Sequence, residues 1–502
     1  MHPEIILGPP GTGKTTSLLE EMEVELGRGV PPDRIGFVSF TRKAAEEAKS
    51  RAIEKFGLAS RQLPWIRTLH SLCFAALGLN SSEVFEGSRV KEFGDWIGVS
   101  VSGFVSMEEG ATFGFDVGDR CLFMDNLARV KGITLRQQYE EDTDDLPWNL
   151  VDRISRGLAE YKHARGIYDF TNMLQMFVET DWSARLEVLF VDEAQDLSML
   201  QWHVVEKLAR GARRVVIAGD DDQAIYRWAG AAVEHFVGLP GQVRVLSQSW
   251  RVPPVVQAVA LEILKKVKHR RAKDWAPRRG EDGTVNRVAV LDEIDFDAGQ
   301  DVLILARNTC FLRDDAMPLL RSQGIIYGFR GGTSVKQSII NAILDWEKLR
   351  RGEEITVASA EKVYDQFSVG VGFVRGHKKL PKFEDREAMV GMRDLRERGG
   401  LLAEHIWHES MTKIVPDDRF YMLKALKRGE KLRAPTVRLS TIHGSKGGQA
   451  DKVILLRDLA QRTNREGQRS PEDEARVFYV ASTRAKRDLT IVAPQTRRYY
   501  DL

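Results

Sequence analysis

Residues 8–15 read Gly8-Pro9-Pro10-Gly11-Thr12-Gly13-Lys14-Thr15, the pattern G-x-x-x-x-G-K-[ST]. Glycines at this spacing let backbone N–H groups curl round an anion, and a helix starting directly behind them adds its positive dipole end. The chemistry is the holding of a polyphosphate. Lys14 is placed to reach the β- and γ-phosphates, Thr15 to offer its hydroxyl to Mg²⁺, and Thr16 to follow at the helix start. A second constellation, Leu189-Phe190-Val191-Asp192-Glu193, runs an apolar strand into two carboxylates. There Asp192 would hold Mg²⁺ through water, while Glu193 would orient and deprotonate the attacking water. Two acids behind a strand also suit a plain helix N-terminus. Behind a P-loop, and in this order, they read as a hydrolytic pair, with ATP and Mg²⁺ as the implied cofactors.

These groups need a scaffold. Glu4–Leu7 is a short β-rich run ahead of the P-loop, and the runs at 35–40, 186–191 and 215–218 are each followed by a turn and a helical pattern. Such alternation predicts a parallel sheet with βαβ crossovers. A later set, with strands at 302–306, 437–440 and 452–456 and a helix at 474–479, predicts a second α/β domain. Two stretches without such strands, 80–156 and 351–432, read as mainly helical insertions.

At 502 residues the chain is long enough for more than one core. Hydrophobic residues make up 43% and charged residues 29%, as in a folded globular chain. The formal net charge is only +2, so a nucleic-acid partner has to be held by local basic patches. The basic runs at 265–271 and 375–379 read either as phosphate contacts or as solvated faces. Cys73, Cys121 and Cys310 are too scattered for a metal cluster or a disulfide framework, which fits a reducing compartment. No apolar run approaches the roughly 20 residues of a membrane span, and a cleavable leader would remove the P-loop. A cytoplasmic location without membrane partners is the expectation.

Further motifs stand in order along the chain. They are Ser39-Phe40-Thr41-Arg42-Lys43-Ala44-Ala45, Thr68-Leu69-His70, Asp192-Glu193-Ala194-Gln195-Asp196 and Gly219-Asp220-Asp221-Asp222-Gln223-Ala224-Ile225-Tyr226-Arg227-Trp228-Ala229-Gly230. Ser249-Trp250-Arg251, Thr441-Ile442-His443-Gly444-Ser445-Lys446-Gly447 and Tyr479-Val480-Ala481-Ser482-Thr483-Arg484-Ala485 follow. Over nearly the whole chain this series resembles the motifs of superfamily 1A DNA helicases, the UvrD/Rep/PcrA family. The resemblance implies two RecA-like domains with ATP between them. Domain 1A would take 1–79 and 157–249, and domain 2A 250–350 and 433–502. Subdomains 1B (80–156) and a short 2B (351–432) would be inserted in them.

The resemblance also implies roles. Gln223 senses the γ-phosphate, Arg251 and Arg484 act as arginine fingers, and Trp250 stacks on adenine. Phe40, Tyr226 and Trp228 stack on bases, while Thr41, Thr68, His70 and His443 contact phosphates or couple the strand to the cleft. Gly447 and Gln449 lie in the motif that reaches the ribose. The implied activity is ATP-driven 3′→5′ movement on single-stranded DNA with unwinding of tailed duplexes. Replication or repair loading proteins are implied partners.

Some positions depart from the family pattern. The family's Asn-Tyr-Arg is Ser249-Trp250-Arg251 here, and its Gly-Leu-Glu is Gly447-Gly448-Gln449. Gln449 can bond a hydroxyl only without charge assistance, so weaker nucleotide affinity is expected. The Gln-containing segment that reads adenine has no room ahead of Gly8, so other purine triphosphates are expected to compete. No nuclease domain is expected after Ala485. The alternatives are a translocase that strips proteins with little unwinding, an RNA helicase, a non-catalytic ATP-gated binding module, and a nucleotide kinase. The last would share the P-loop but not the later motifs.

Overall fold

The apolar runs ahead of each motif fold as strands of two sheets. A computed structural model describes residues 2–39, 42–102, 116–142, 145–297, 299–430 and 435–502. The first sheet contains β1 (Glu4–Leu7), β2 (Ile35–Ser39), β3 (Ile66–Thr68), β4 (Val188–Asp192), β5 (Arg214–Gly219) and β6 (Gln242–Val245). Its order is β3-β2-β4-β5-β1-β6, and every pairing is parallel. A strand covered on both faces sends alternate side chains to opposite layers. Ile5, Leu7, Leu189, Val191 and Ile217 pack with the helices Leu69–Ala76, Phe170–Glu179 and Met199–Ala209. Ile6, Val188, Phe190, Val216 and Ala218 pack against the helices Lys14–Gly27 and Arg42–Phe56. The chain leaves β1 across the sheet toward β2, whereas β4 leads back toward β5 and β6. Connections departing in opposite directions open a crevice at the C-terminal strand ends, the usual ligand position in such sheets.

The second half contributes β7 (Thr284–Val288), β8 (Val302–Ala306), β9 (Tyr327–Phe329), β10 (Gly332–Thr333), β11 (Ile355–Thr356) and β12 (Met389–Val390). It ends with β13 (Val437–Thr441), β14 (Ala450–Leu456) and β15 (Ala485–Val492). The second sheet runs β10-β9-β13-β8-β14-β15-β7, parallel except for the β9–β10 pair. Leu303, Leu305, Val453, Leu455 and Leu489 face the helices Pro254–Leu264 and Pro471–Ser482. Val302, Ile304, Ile454 and Leu456 face the opposite layer. Both halves are therefore α/β units whose central strands are buried on both faces.

Two units interrupt these sheets. Between β3 and β4, the helices Ser88–Ile97, Val117–Lys131, Leu135–Glu141 and Trp148–Arg165 enclose Phe93, Cys121, Met124, Ile154 and Tyr161. The seam to the first sheet is ionic. Arg129 bonds Asp169 at 2.8 and 3.1 Å and Asp125 at 2.9 Å, and Lys162 shares Asp169. Burial opposes the Asp169 charge, but Arg129 and Lys162 hold the carboxyl down to about 2. Between β10 and β13, the antiparallel pair β11–β12 and the helices Val357–Tyr364, Met392–Glu397 and Pro416–Lys427 surround Tyr364, Phe367, Phe373 and Trp407. Trp346, on the helix Gln337–Arg350, belongs to the same core, so this unit is rooted in the layer below it. No helix among the described residues is long and apolar enough to cross a membrane.

Candidate nucleotide site and strand-binding face

Leu7 ends β1, and glycine shapes the loop that follows. Gly11 and Gly13 take φ of 76° and 84°, a region that side chains other than glycine rarely adopt. A Cβ on Gly11 would also lie 2.4 Å from the Arg251 Cβ, so the P-loop touches the second half of the chain there. Lys14 donates from Nζ to the Gly8 carbonyl at 2.8 Å, and Thr12 donates to Pro9 O at 2.8 Å. Thr16 accepts from Arg51 at 3.3 Å.

The end of β4 brings the carboxylates beside this loop. Thr15 donates its hydroxyl to Asp192 Oδ2 at 2.7 Å. A hydroxyl and a carboxylate side by side are an oxygen-only donor set, which fits Mg²⁺. Glu193 takes φ of 52°, an uncommon value for a residue with a Cβ, and such strain persists where the surroundings over-determine it. Gln195 supplies that restraint by donating to Glu193 and accepting from Asp220 N at 2.9 Å. Burial, reinforced by the Glu193 charge, pushes Asp192 up to about 6. Burial also opposes the charge on Glu193, but Lys14, Lys446 and the Gln195 hydrogen bond hold its carboxyl below the usual range. Glu193 is thus the more readily ionised of the two.

Two arginines close the crevice from the other side. Ser249 donates to Pro10 O at 2.8 Å, and Trp250 N donates to Gly11 O at 2.8 Å. These bonds seat Arg251 over the P-loop and leave the Trp250 indole 73% exposed. Burial lowers the Arg251 pKa, and its Nε finds no acceptor among the described residues. Arg484 is buried, with Nε on Val480 O at 2.9 Å and Nη2 on Gln223 Oε1 at 3.0 Å. Burial, assisted by the Arg251 charge, brings Arg484 down to about 9. Gln223 in turn donates to Asp220 Oδ2 at 2.7 Å. Lys446 bonds the Asp196 carboxylate and donates to Gln223 O at 2.8 Å. Lys14, Asp192, Glu193, Gln223, Arg251 and Arg484 thus converge on one crevice. Its under-neutralised guanidinium charge is suited to an incoming polyanion.

Gly447 and Gln449 flank a residue that touches this cluster but make no bond to it themselves among the described residues. Both are exposed, and the Gln449 carbonyl accepts from Arg438 at 2.9 Å. Gly448 between them accepts from Arg484 at 3.4 Å. Among the described residues no hydrogen bond joins Gly447 or Gln449 to the P-loop.

The aromatic residues gather next to the crevice. Tyr226 donates to His443 O at 3.3 Å, and Lys446 lies 5.0 Å from its ring centre. The Trp228 ring lies 6.1 Å from Phe123 of the first inserted unit, with planes 18° apart, and 6.2 Å from His443. A cavity of about 310 Å³ opens beneath them, lined by Phe123, Gln138, Trp228, Arg307, His443 and Glu474. His443 is buried, with Nε2 3.2 Å from Ile225 O. It joins the motifs around Gln223 and Lys446 and does not present its ring to solvent. Thr68 caps the helix Leu69–Ala76 by accepting from Ser71 N at 3.2 Å. His70 meets Phe170 edge-on at 5.9 Å. Phe40 and Thr41 lie outside the described residues. Phe170, 48% exposed beside His70, escaped the sequence reading. Its signal is an aromatic directly behind the helix-capping Asp169. The basic run at 265–271 is partly spent within the protein, since Arg270 bonds Asp222 at 2.7 and 2.5 Å. In the run at 375–379, Lys378 pairs with Asp365 at 2.9 Å.

Comparison with known proteins follows the same division. Residues 2–243 match the model of the UvrD/REP helicase N-terminal domain, and residues 409–496 that of the UvrD-like helicase C-terminal domain. A "Putative ATP-dependent DNA helicase YjcD" of Bacillus subtilis is 22% identical over 99% of this chain and 77% of its own length. A "DNA helicase II" of Haemophilus influenzae is 24% identical over 99% of this chain and 82% of its own. The "ATP-dependent DNA helicase Rep" of Escherichia coli is 25% identical over 52% of this chain and 38% of its own. Two matched models that together span more than half of the chain, on a fold whose motifs meet in one crevice, establish that it belongs to the UvrD/Rep helicase family.

Proposed function

We propose that this chain is an ATP-dependent DNA helicase that moves 3′→5′ along one strand. The observation carrying the reading is the crevice itself. The P-loop and the Asp192–Glu193 pair face the half-buried Arg251 and the buried Arg484, and Lys446 links Gln223 to the Tyr226 ring beside Trp228. Lys14 would exchange the Gly8 carbonyl for phosphate oxygens, and Glu193 would orient water at the γ-phosphate. Arg251 and Arg484 would neutralise charge on the transferring phosphoryl group, and delocalised guanidinium suits that task. Thr15 and Asp192 would hold Mg²⁺, which supplies charge neutralisation on the β- and γ-oxygens when bound. Loss of the γ-phosphate would remove the charge that Arg251 and Arg484 share, leaving only protein bonds such as Ser249–Pro10 and Trp250–Gly11 to hold the crevice closed. Gln223 and Lys446 would pass that change to the strand. Trp228, Tyr226 and the exposed Phe170 supply stacking faces for bases.

Polarity rests on the family resemblance. The small second inserted unit favours one further reading, a translocase that displaces proteins with little unwinding. ATP hydrolysis with and without single-stranded DNA tests the common core. Stimulation by DNA supports both readings, and stimulation by RNA alone contradicts both.

A further inference from the structure

Behind Gln223 lies a charge cluster that the nucleotide chemistry does not use. Asp220, Asp221 and Asp222 are all buried, and one ammonium group serves all three. Lys273 Nζ lies 3.0 Å from Asp220 Oδ1 and 3.0 Å from Asp222 Oδ2, and it also bonds Asp221. Its own side chain is 1% exposed. Arg270 grips Asp222 from outside, and Arg476 donates to Asp221 O at 3.0 Å. The Arg271 amide donates to Asp221 Oδ2 at 2.8 Å. Lys273 sits on the segment that runs from the helix Pro254–Leu264 back beside Ser249. Ala276 there exchanges backbone bonds with Ser247 and Ser249 at 2.7 and 2.9 Å. The same segment packs Trp275 against Tyr479 of the helix that leads to Arg484, at 5.9 Å.

Three buried carboxylates repel one another unless a cation holds them. With Lys273 on Asp220 Oδ1, the other oxygen is left to accept from Gln223, and Gln223 Oε1 then accepts from Arg484. We propose that Lys273 is a positioning residue for ATP hydrolysis, acting through Asp220 to fix Gln223 and Arg484 across the crevice. Among the described residues the Arg270 guanidinium bonds Asp222 and neither Asp220 nor Gln223, so it braces the cluster without setting Gln223. This inference rests on the ATPase reading of the crevice.

The test compares Lys273→Met, Arg270→Gln and wild type by DNA-stimulated ATPase kinetics, DNA affinity without nucleotide, and the thermal midpoint. Lys273→Met should lower kcat by about ten- to a hundredfold, the scale of a misplaced reacting group. Its KM for ATP and its DNA affinity should stay near wild type. Arg270→Gln should lower the midpoint and keep kcat within about twofold. If Lys273→Met does not fold, Lys273→Met/Asp221→Asn removes a buried carboxylate with the cation and should fold with the same low kcat. The proposal is overturned if the Lys273 variants keep wild-type kcat, or if kcat in both single variants merely follows the midpoint. A wild type without ATPase activity overturns the underlying reading instead.

Discussion

Glu193 and Asp192 are chain neighbours with opposite electrostatic fates. Burial and the adjacent carboxylate push Asp192 up, while Lys14, Lys446 and Gln195 hold Glu193 ionised. If Glu193 is the group that orients water, Glu193→Gln keeps the shape of the site and removes the base. Steady-state kinetics should show kcat lower by about a hundredfold or more, with KM for ATP little changed. Trp250 calls for the opposite split. Its indole is 73% exposed above the P-loop, so Trp250→Ala should raise KM for ATP by about fivefold and spare kcat. An unchanged KM would remove Trp250 from the base site. Gln449→Glu is expected to lower KM, and no change would show that the ribose lies elsewhere. At this scale the types and order of residues already pointed to the crevice members, because the P-loop, the carboxylates and Gln223 follow β1, β4 and β5, while Arg484 stands between the helix Pro471–Ser482 and β15. The partnership of Lys273 with Asp220 was not readable, since the bonded atoms lie 53 positions apart in number and no pattern links them.

Strands were legible where apolar runs end in motifs, because burial on both faces leaves a continuous signature. The helices of the inserted units carry weaker cues, and tertiary contacts decide how they sit. Trp346 shows this, since it lies on a helix continuous with the second α/β unit yet fills the core of the inserted one. The seam held by Asp169 was also hidden in sequence, because its cations come from two separate helices. Asp169→Asn keeps the helix cap on Asn172 and removes only the charge. It should destabilise the protein by about 3 kcal/mol at pH 7, as expected when one partner of a buried ion pair is lost. The native pKa near 2 lies below the unfolded value. The contribution is therefore complete above about pH 5 and falls as pH drops from about 4 toward 2. Urea midpoints of wild type and variant should differ equally at pH 7 and pH 5, then converge at lower pH.

Across the whole molecule, each half supplies an incomplete site. The first sheet offers the P-loop and carboxylates, and the second offers Arg484. Arg251, on the chain between them, seats directly on the P-loop. Gln223 and Lys446 cross between the halves, next to the aromatic cluster around Trp228. A strand lying on that cluster would therefore change how the halves meet, and ATP hydrolysis should respond to it. Trp228→Ala should weaken single-strand affinity by about tenfold, the scale of one lost stacked base, and lower the DNA-stimulated rate at limiting DNA. The most direct measurement is the ATPase rate with and without single-stranded DNA, run beside unwinding of duplexes with a 3′ or a 5′ tail. A 3′→5′ helicase mechanism predicts strong stimulation and opening of the 3′-tailed duplex alone. An ATPase indifferent to DNA, or opening of the 5′-tailed duplex alone, would contradict it.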